Sequence, residues 1–299
     1  MRILQIVLPA SSAYERKSQR IDHAALSASH EVLFASDLSH LPPADVAHLY
    51  APHRLAAGRL RRFSLPYLTN AMVTQGRLPW RRGRPPGSVI SPLTGTGAVV
   101  VPEAVEERYF DPPPEFLRAE TTPGTDKSVR ATPVSRGGAR DGEWSTESDR
   151  PRVIGSFDRP PLRSLVEQTL GRLHRFREDV SWHLFDRDPA PEDLDGLDAW
   201  IDPAIDTLDF AGFVAEAIVR GLPVVAARTP INSQRLENGR TGWLVPAGDP
   251  NELTHAILSV LFKPELGQTK ISSAKQTKAK FRPRQRIRVL IPLYEALRP

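Results

Sequence analysis

The chain has no cysteine in its 299 residues. That removes a disulfide framework, a thiol nucleophile and a cysteine metal site together, and it leaves the redox compartment open. Long apolar runs are missing as well. The N-terminal run, Ile3 to Pro9, is too short to span a bilayer and has only Arg2 before it, so it reads as a first strand and not as a signal peptide. No P-loop, G-x-G-x-x-G, zinc-ligand spacing or G-x-S-x-G occurs. Asp186-Arg187-Asp188 has the form of a metal-nucleotide D-x-D, but it follows a strand without a second cue and reads as a chance match, so no metal ligands are assigned. Acid is absent from Leu266 to Tyr294, where Lys270, Lys275, Lys278, Lys280, Arg282, Arg284, Arg286 and Arg288 all fall.

A chain of this length is natural for two domains, with material for two cores. Its net charge is +5, and the acid-free run admits three readings: a solvated helix face, contact with an anionic membrane surface, or nucleic-acid binding. With Phe281 and Tyr294 as its only aromatics the run lacks a base-stacking platform, and no nucleic-acid partner is expected. The default is a cytoplasmic protein, with a peripheral membrane contact as the further option.

Short apolar runs alternate with helical patterns, the signature of βαβ units and parallel sheets. In a first set, strands are expected at Ile3 to Leu8, Glu31 to Ala35, Val46 to Ala51, Pro66 to Thr69 and Ala98 to Val101. Ser12 and Glu15 form a capping box that opens a helix running to about Ala28, and Gly76 to Gly87 reads as loop. From Pro112 to Pro151 apolar density collapses, so this stretch cannot bury enough surface to offset the entropy of ordering it. Residues 112–151 are therefore expected to be a flexible linker between domains at 1–111 and 152–275, with 276–299 a basic C-terminal helix.

The second set begins with a strand at Arg152 to Phe157, in which Gly155 permits close backbone approach. Pro160 and Pro161 suit the start of a helix that shares Val166, Leu170 and Leu173 on one face. Further strands are expected at Val180 to Phe185, Ala199 to Ile201 and Leu222 to Ala227. Asp249 reads as an N-cap with Pro250 at the first helical position, opening a helix that buries Leu253, Ile257 and Val260. Right-handed crossovers place sites at the carboxyl ends of strands, so residues 202–209 and 228–233 should meet in one crevice.

The most informative segment is Phe210 to Ala226. A helix whose first turn is Phe210-Ala211-Gly212-Phe213 puts little side-chain bulk before its free N–H groups, which together with the helix dipole favour a phosphate. Gly221 ends that helix as a C′ residue and Pro223 forbids its continuation. Glu216, one and a half turns in, is placed for a neutral polar group such as a ribose hydroxyl beside the phosphate; the alternative is a surface glutamate on an ordinary αβ unit.

Three segments in order, Leu197-Asp198-Ala199-Trp200-Ile201-Asp202-Pro203, then Phe210 to Ala226, then Gly239-Arg240-Thr241-Gly242-Trp243-Leu244-Val245-Pro246-Ala247-Gly248-Asp249-Pro250, carry a resemblance. They are similar to the "ADVFVLPS", "EGFGLxxLEAMAxGxPVVA" and "dGxtGxLVPxGDpxxLA" segments in the donor half of GT-B glycosyltransferases related to glycogen synthase (family four). The likeness runs from about Asp198 to Ile257, with weaker echoes at Met1 to Leu8, Val46 to Ala51, Ala98 to Phe110 and Arg288 to Leu297. It implies an α/β chain of two Rossmann-like domains (GT-B), with parallel sheets carrying helices on both faces. It also implies retaining, metal-independent sugar transfer that needs no cofactor beyond the nucleotide-diphosphate sugar donor, to a sugar, lipid or small-molecule acceptor.

The resemblance puts Glu216 on the donor ribose, with Gly212 and Phe213 at the phosphate turn. The family's other donor glutamate falls on Leu208 here, so the acid near the transferred sugar is expected from Asp206 or Asp209, for which N-cap and solvated-loop roles compete. A diphosphate needs cations, and the Arg and Lys of the family's "GRLxxxKG" are replaced by Ser156 and Pro161. Arg159, Arg163 or Arg228 are positioned to substitute, against the alternative that all three are surface arginines. The family's "GGxxE" turn appears as Thr229-Pro230-Ile231-Asn232-Ser233-Gln234, with Asn232 as its polar contact to the donor. Tyr67 to Met72 lacks the acceptor-side histidine of many relatives, and His48 and His53 are each more often packed or solvated than catalytic. Two rival functions follow: a non-catalytic GT-B-like binding protein, and an anion-binding protein acting through the basic tail.

Overall fold

The computed structural model describes residues 1–9, 11, 13–50, 65–70, 88–91, 99–101, 103–110, 151–205 and 213–297. Two compact units appear: Met1–Glu107 with Lys278–Pro299, and Arg108–Thr277. Residues 278–299, within the expected basic C-terminal helix, belong to the first unit, and residues 112–150 of the expected linker lie outside the described residues.

The first unit is a parallel sheet in the order β2-β1-β3-β4-β5-β6, formed by β1 (Arg2–Ile6), β2 (Glu31–Ala35), β3 (Val46–Leu49), β4 (Tyr67–Asn70), β5 (Ser88–Ser91) and β6 (Val99–Val100). Strand alternation sorts β1 and β3 onto two faces. Leu4, Ile6, Ala47 and Leu49 enter one core. Ile3 and Val46 enter the other, against Leu26 of helix α1 (Ala13–Leu26) and against Leu290 and Tyr294 near the C-terminus. Gln5 and His48 are forced onto that second face by the same alternation, so it must also satisfy polar groups. Tyr50 hydroxyl donates to Asp22 at 2.8 Å and Gln5 amide donates to Tyr50 at 3.2 Å. His48 Nδ1 shares a 2.7 Å hydrogen bond with Tyr294 hydroxyl, and its ring stacks on Tyr50 at 3.9 Å. His48 is therefore packed into the core; His53 lies outside the described residues.

The second unit is a five-stranded parallel sheet in the order β11-β10-β9-β7-β8. Its strands are β7 (Arg152–Phe157), β8 (Val180–Phe185), β9 (Ala199–Asp202), β10 (Val224–Ala227) and β11 (Trp243–Val245). One face buries Ile154, Val180, Trp182, Ala199, Ile201, Val225 and Val245 under two helices. These are α2 (Arg163–Leu173), which contributes Val166, Leu170 and Leu173, and, further along the chain, the helix Pro250–Phe262, which contributes Leu253, Ile257 and Val260. Both apolar faces agree with the sequence spacing. The long helix is N-capped by Asp249, which accepts from the backbone of Asn251 and Glu252 at 2.9 and 3.1 Å. Gly155 allows a close approach: a Cβ there would press on the Leu197 side chain. The chain therefore has two α/β units with parallel sheets, and in the second unit helices cover both faces.

Candidate functional site

On the opposite face of the second sheet, Trp200 and Asp202 of β9 point the same way, two residues apart. Trp200 lies in a ring cluster with Phe157, Phe185 and Phe213, whose centroids are 6.2, 5.9 and 6.3 Å away. Below it in the chain, α3 (Pro191–Asp195) leads into β9, and after β9 comes α4 (Val214–Arg220), anchored by Arg220, which pairs with Asp195.

Helix α4 starts later than the sequence pattern implies. Phe213 precedes it with φ 68°, in the left-handed region, so the helix cannot run continuously from Phe210. Its ring is the reason. Buried against Phe157 at 5.1 Å and beside Tyr109 and Trp200, it holds the backbone turned at the carboxyl edge of the sheet. The Phe213 ring is thus packed where α4 begins. Glu216 moves into the first turn and is fully buried, which rules out the surface-glutamate alternative. At the far end Gly221, φ 86°, donates to Ile218 carbonyl and Leu222 donates to Ala217, the paired bonds of a left-handed helix stop.

After β10, α5 (Pro230–Arg235) is capped by Thr229, whose hydroxyl accepts from Asn232 N–H at 3.1 Å. The stretch read as a degenerate turn is thus a short helix. Its Asn232 amide donates to Asp202 at 2.7 Å and to Ala227 carbonyl at 3.2 Å. The carboxyl ends of β9 and β10 therefore meet as the crossover argument requires. Burial pushes the Asp202 carboxyl up to about 6, while the Asn232 amide and the positive charges of Arg235 and Arg159 pull it down. Arg159 is thereby placed in the same cluster as Asn232. Arg235 is 4% exposed. Neither Asp202 nor Arg235 was singled out from sequence, although Arg235 lies three residues after Asn232 and so shares its helix face.

The other candidates separate. Arg228 is exposed and its guanidinium reaches Leu244 carbonyl at 3.3 Å, on the β11 side. Arg163 is tied to Asp158 by two bonds, 2.9 and 2.6 Å. Ser156 turns into the core, where its hydroxyl accepts the Trp182 indole N–H at 2.9 Å. Asp206, Asp209 and Gly212 lie outside the described residues. The basic run is divided between the units: Lys270 donates to Gly239 carbonyl in the second, whereas Arg282 pairs with Glu107 and Arg286 with Asp22 in the first. Those contacts draw part of the run away from a solvated or membrane-facing stripe. Among the described residues no helix is long and apolar enough to cross a membrane.

Gly248 closes the same edge. Its N–H donates to Ala204 carbonyl at 2.7 Å, its φ is 74°, and a Cβ would stand 2.9 Å from Ile205 carbonyl oxygen. Gly248→Ala combines left-handed strain with a backbone clash and is expected to cost about 1–3 kcal/mol. Urea denaturation of the two proteins measures this, and an unchanged midpoint would show that the 204–205 segment yields freely.

Residues 148–262 match the family model of the glycosyl transferases group 1. Compared with curated proteins, the sequence finds no significant match. Among solved structures, a glycosyltransferase from Rickettsia africae is 13% identical, with a TM-score of 0.68 over 99% of this chain and 98% of its own. HepE of Anabaena, solved with UDP and glucose, is 12% identical, with a TM-score of 0.68 over 99% of this chain and 100% of its own. A sucrose-phosphate synthase from Thermosynechococcus elongatus is 14% identical, with a TM-score of 0.65 over 99% of each chain. At such identities the likeness is one of fold. The two parallel α/β units and these likenesses give a chain of GT-B fold, in which residues 148–262 are similar to the group 1 glycosyl transferases.

Proposed function

We propose that the protein transfers a sugar from a nucleotide-diphosphate sugar to a sugar, lipid or small-molecule acceptor, with retention of configuration and without a metal or further cofactor. The observation that carries this is the meeting of Asn232, Arg159 and Arg235 around the carboxyl end of β9, beside α4 with its buried Glu216. Positive charge and an amide gathered in a largely buried place suit a departing diphosphate, and catalysis there consists of positioning and electrostatic stabilisation. In this reading Glu216 accepts from the ribose hydroxyls, and Asp206 or Asp209 supplies the acid beside the transferred sugar. That HepE was solved with UDP-glucose supports a nucleotide sugar as the first donor to try.

A second reading, a GT-B-like protein that binds but does not transfer, is favoured by Ser156, which stands where the resembling family has a diphosphate arginine and is committed to Trp182. Ligand-detected binding against a panel of nucleotide sugars, followed by donor hydrolysis with and without a chelator and by assignment of the product anomer, separates the two. Binding with hydrolysis to the retained anomer supports transfer. Binding without turnover of any donor supports the second reading, and a lack of binding overturns both.

A further inference from the structure

The carboxyl ends of β9 and β10 hold an acid among groups otherwise suited to an anion. Asp202 is 3% exposed, Asn232 2% and Arg235 4%. The Asp202 carboxylate accepts the Asn232 amide at 2.7 Å, and Arg235 and Arg159 act on it by charge. The other end of that amide, Asn232 Oδ1, is buried, and no hydrogen-bond donor reaches it among the described residues. Among the described residues the charged groups facing Asp202 are Arg235 from α5 and Arg159 from the segment after β7, while Glu216 is buried on α4, which packs on β9 and β10.

We propose that Asp202 is a resident counter-anion in the diphosphate site formed by Arg159 and Arg235, and that a diphosphate binds there together with a proton taken up by Asp202. The inference rests on the donor reading above. A buried carboxylate beside an arriving diphosphate is a like-charge pair in a low dielectric, and the charge is relieved when a solvent proton converts the carboxylate to the acid. Burial already pushes this carboxyl up to about 6, so the proton is within reach near neutral pH. The protonated acid keeps a carbonyl oxygen that accepts the Asn232 amide, so the geometry survives the uptake.

The experiment is calorimetric titration of UDP, and separately of inorganic pyrophosphate, into the full chain near pH 7 in two buffers of different ionisation enthalpy, with Asp202→Asn and Asp202→Ala alongside. The wild type should take up roughly half a proton or more per ligand beyond either variant, and Asp202→Asn should bind about tenfold tighter. Unliganded melts give a control that needs no ligand. Because the folded carboxyl titrates above its ordinary value, the native state binds the extra proton, and wild-type stability should rise as pH falls through about 6 toward about 4. Asp202→Asn should lack that rise.

UDP bound with equal proton counts and equal affinities overturns the counter-anion and leaves the donor reading intact. Pyrophosphate bound with proton uptake, but no nucleotide sugar bound, keeps the counter-anion and overturns the donor reading. If neither probe binds to the wild type or to a folded variant, both fail.

Discussion

Arg286→Ala is expected to cost the first unit about 3–5 kcal/mol, the largest stability effect of any single side chain considered for this molecule. Arg286 lies on the C-terminal helix Pro283–Leu297, and its guanidinium grips Asp22 of α1 with two bonds, 2.6 and 2.9 Å. Asp22 is fully buried and Arg286 is 4% exposed. Removing the arginine leaves a carboxylate in the core beside the neutral Tyr50 hydroxyl donor, and desolvation then stands uncompensated. The same pair explains how an acid-free tail can be an integral helix: its most buried cation is answered by an acid far away in sequence. Urea denaturation, followed by fluorescence, measures the loss. Because the penalty belongs to the stranded charge, Asp22→Leu combined with Arg286→Met should recover most of it. A loss below about 1 kcal/mol for Arg286→Ala would mean that water reaches the site and that the pair acts as a surface one.

Much of the architecture was legible because burial in a parallel sheet writes itself as short apolar runs. β7 and β8 fall on the stretches read from sequence, and the faces of α2 and of the helix from Pro250 match residue by residue. Misses have local causes. β5 is Ser-Val-Ile-Ser, too short and too polar at its ends to separate from the loop before it, and β11 was absorbed into a motif and not read as a strand. Helix propensity runs on through Phe213, whereas its backbone is left-handed where its ring packs, which no local rule foretells.

The candidate site was legible in outline and not in its members. The crossover argument brings the ends of β9 and β10 together, and Asn232 lies there, hydrogen-bonded to Asp202. What it could not supply was the sign of each neighbour. Arg228, just before α5, reaches a carbonyl on the β11 side, whereas Arg235, at the end of α5, is buried and acts on Asp202 by its charge. Charge patterning separates exposed from buried arginines poorly, because the choice depends on an acid supplied by another strand.

Glu216→Gln is expected to weaken nucleotide-diphosphate binding by about tenfold to a hundredfold, with little change in the unliganded melting temperature. The side chain is fully buried in the first turn of α4, on the segment that carries the resemblance to donor-binding glycosyltransferases. Glutamine keeps its shape and one acceptor but loses the charge-assisted bond to a ribose hydroxyl, worth about 1.5–3 kcal/mol. Calorimetric titration of UDP into both proteins, with melts of each alone, distinguishes the outcomes. Equal affinities would take Glu216 out of the donor site. A steep fall in melting temperature without ligand would make it a structural acid that holds α4 against the sheet. A loss of affinity confined to intact nucleotides, with inorganic pyrophosphate binding unchanged, is the outcome that places the carboxylate at the ribose and leaves the diphosphate to the arginines at the end of β9.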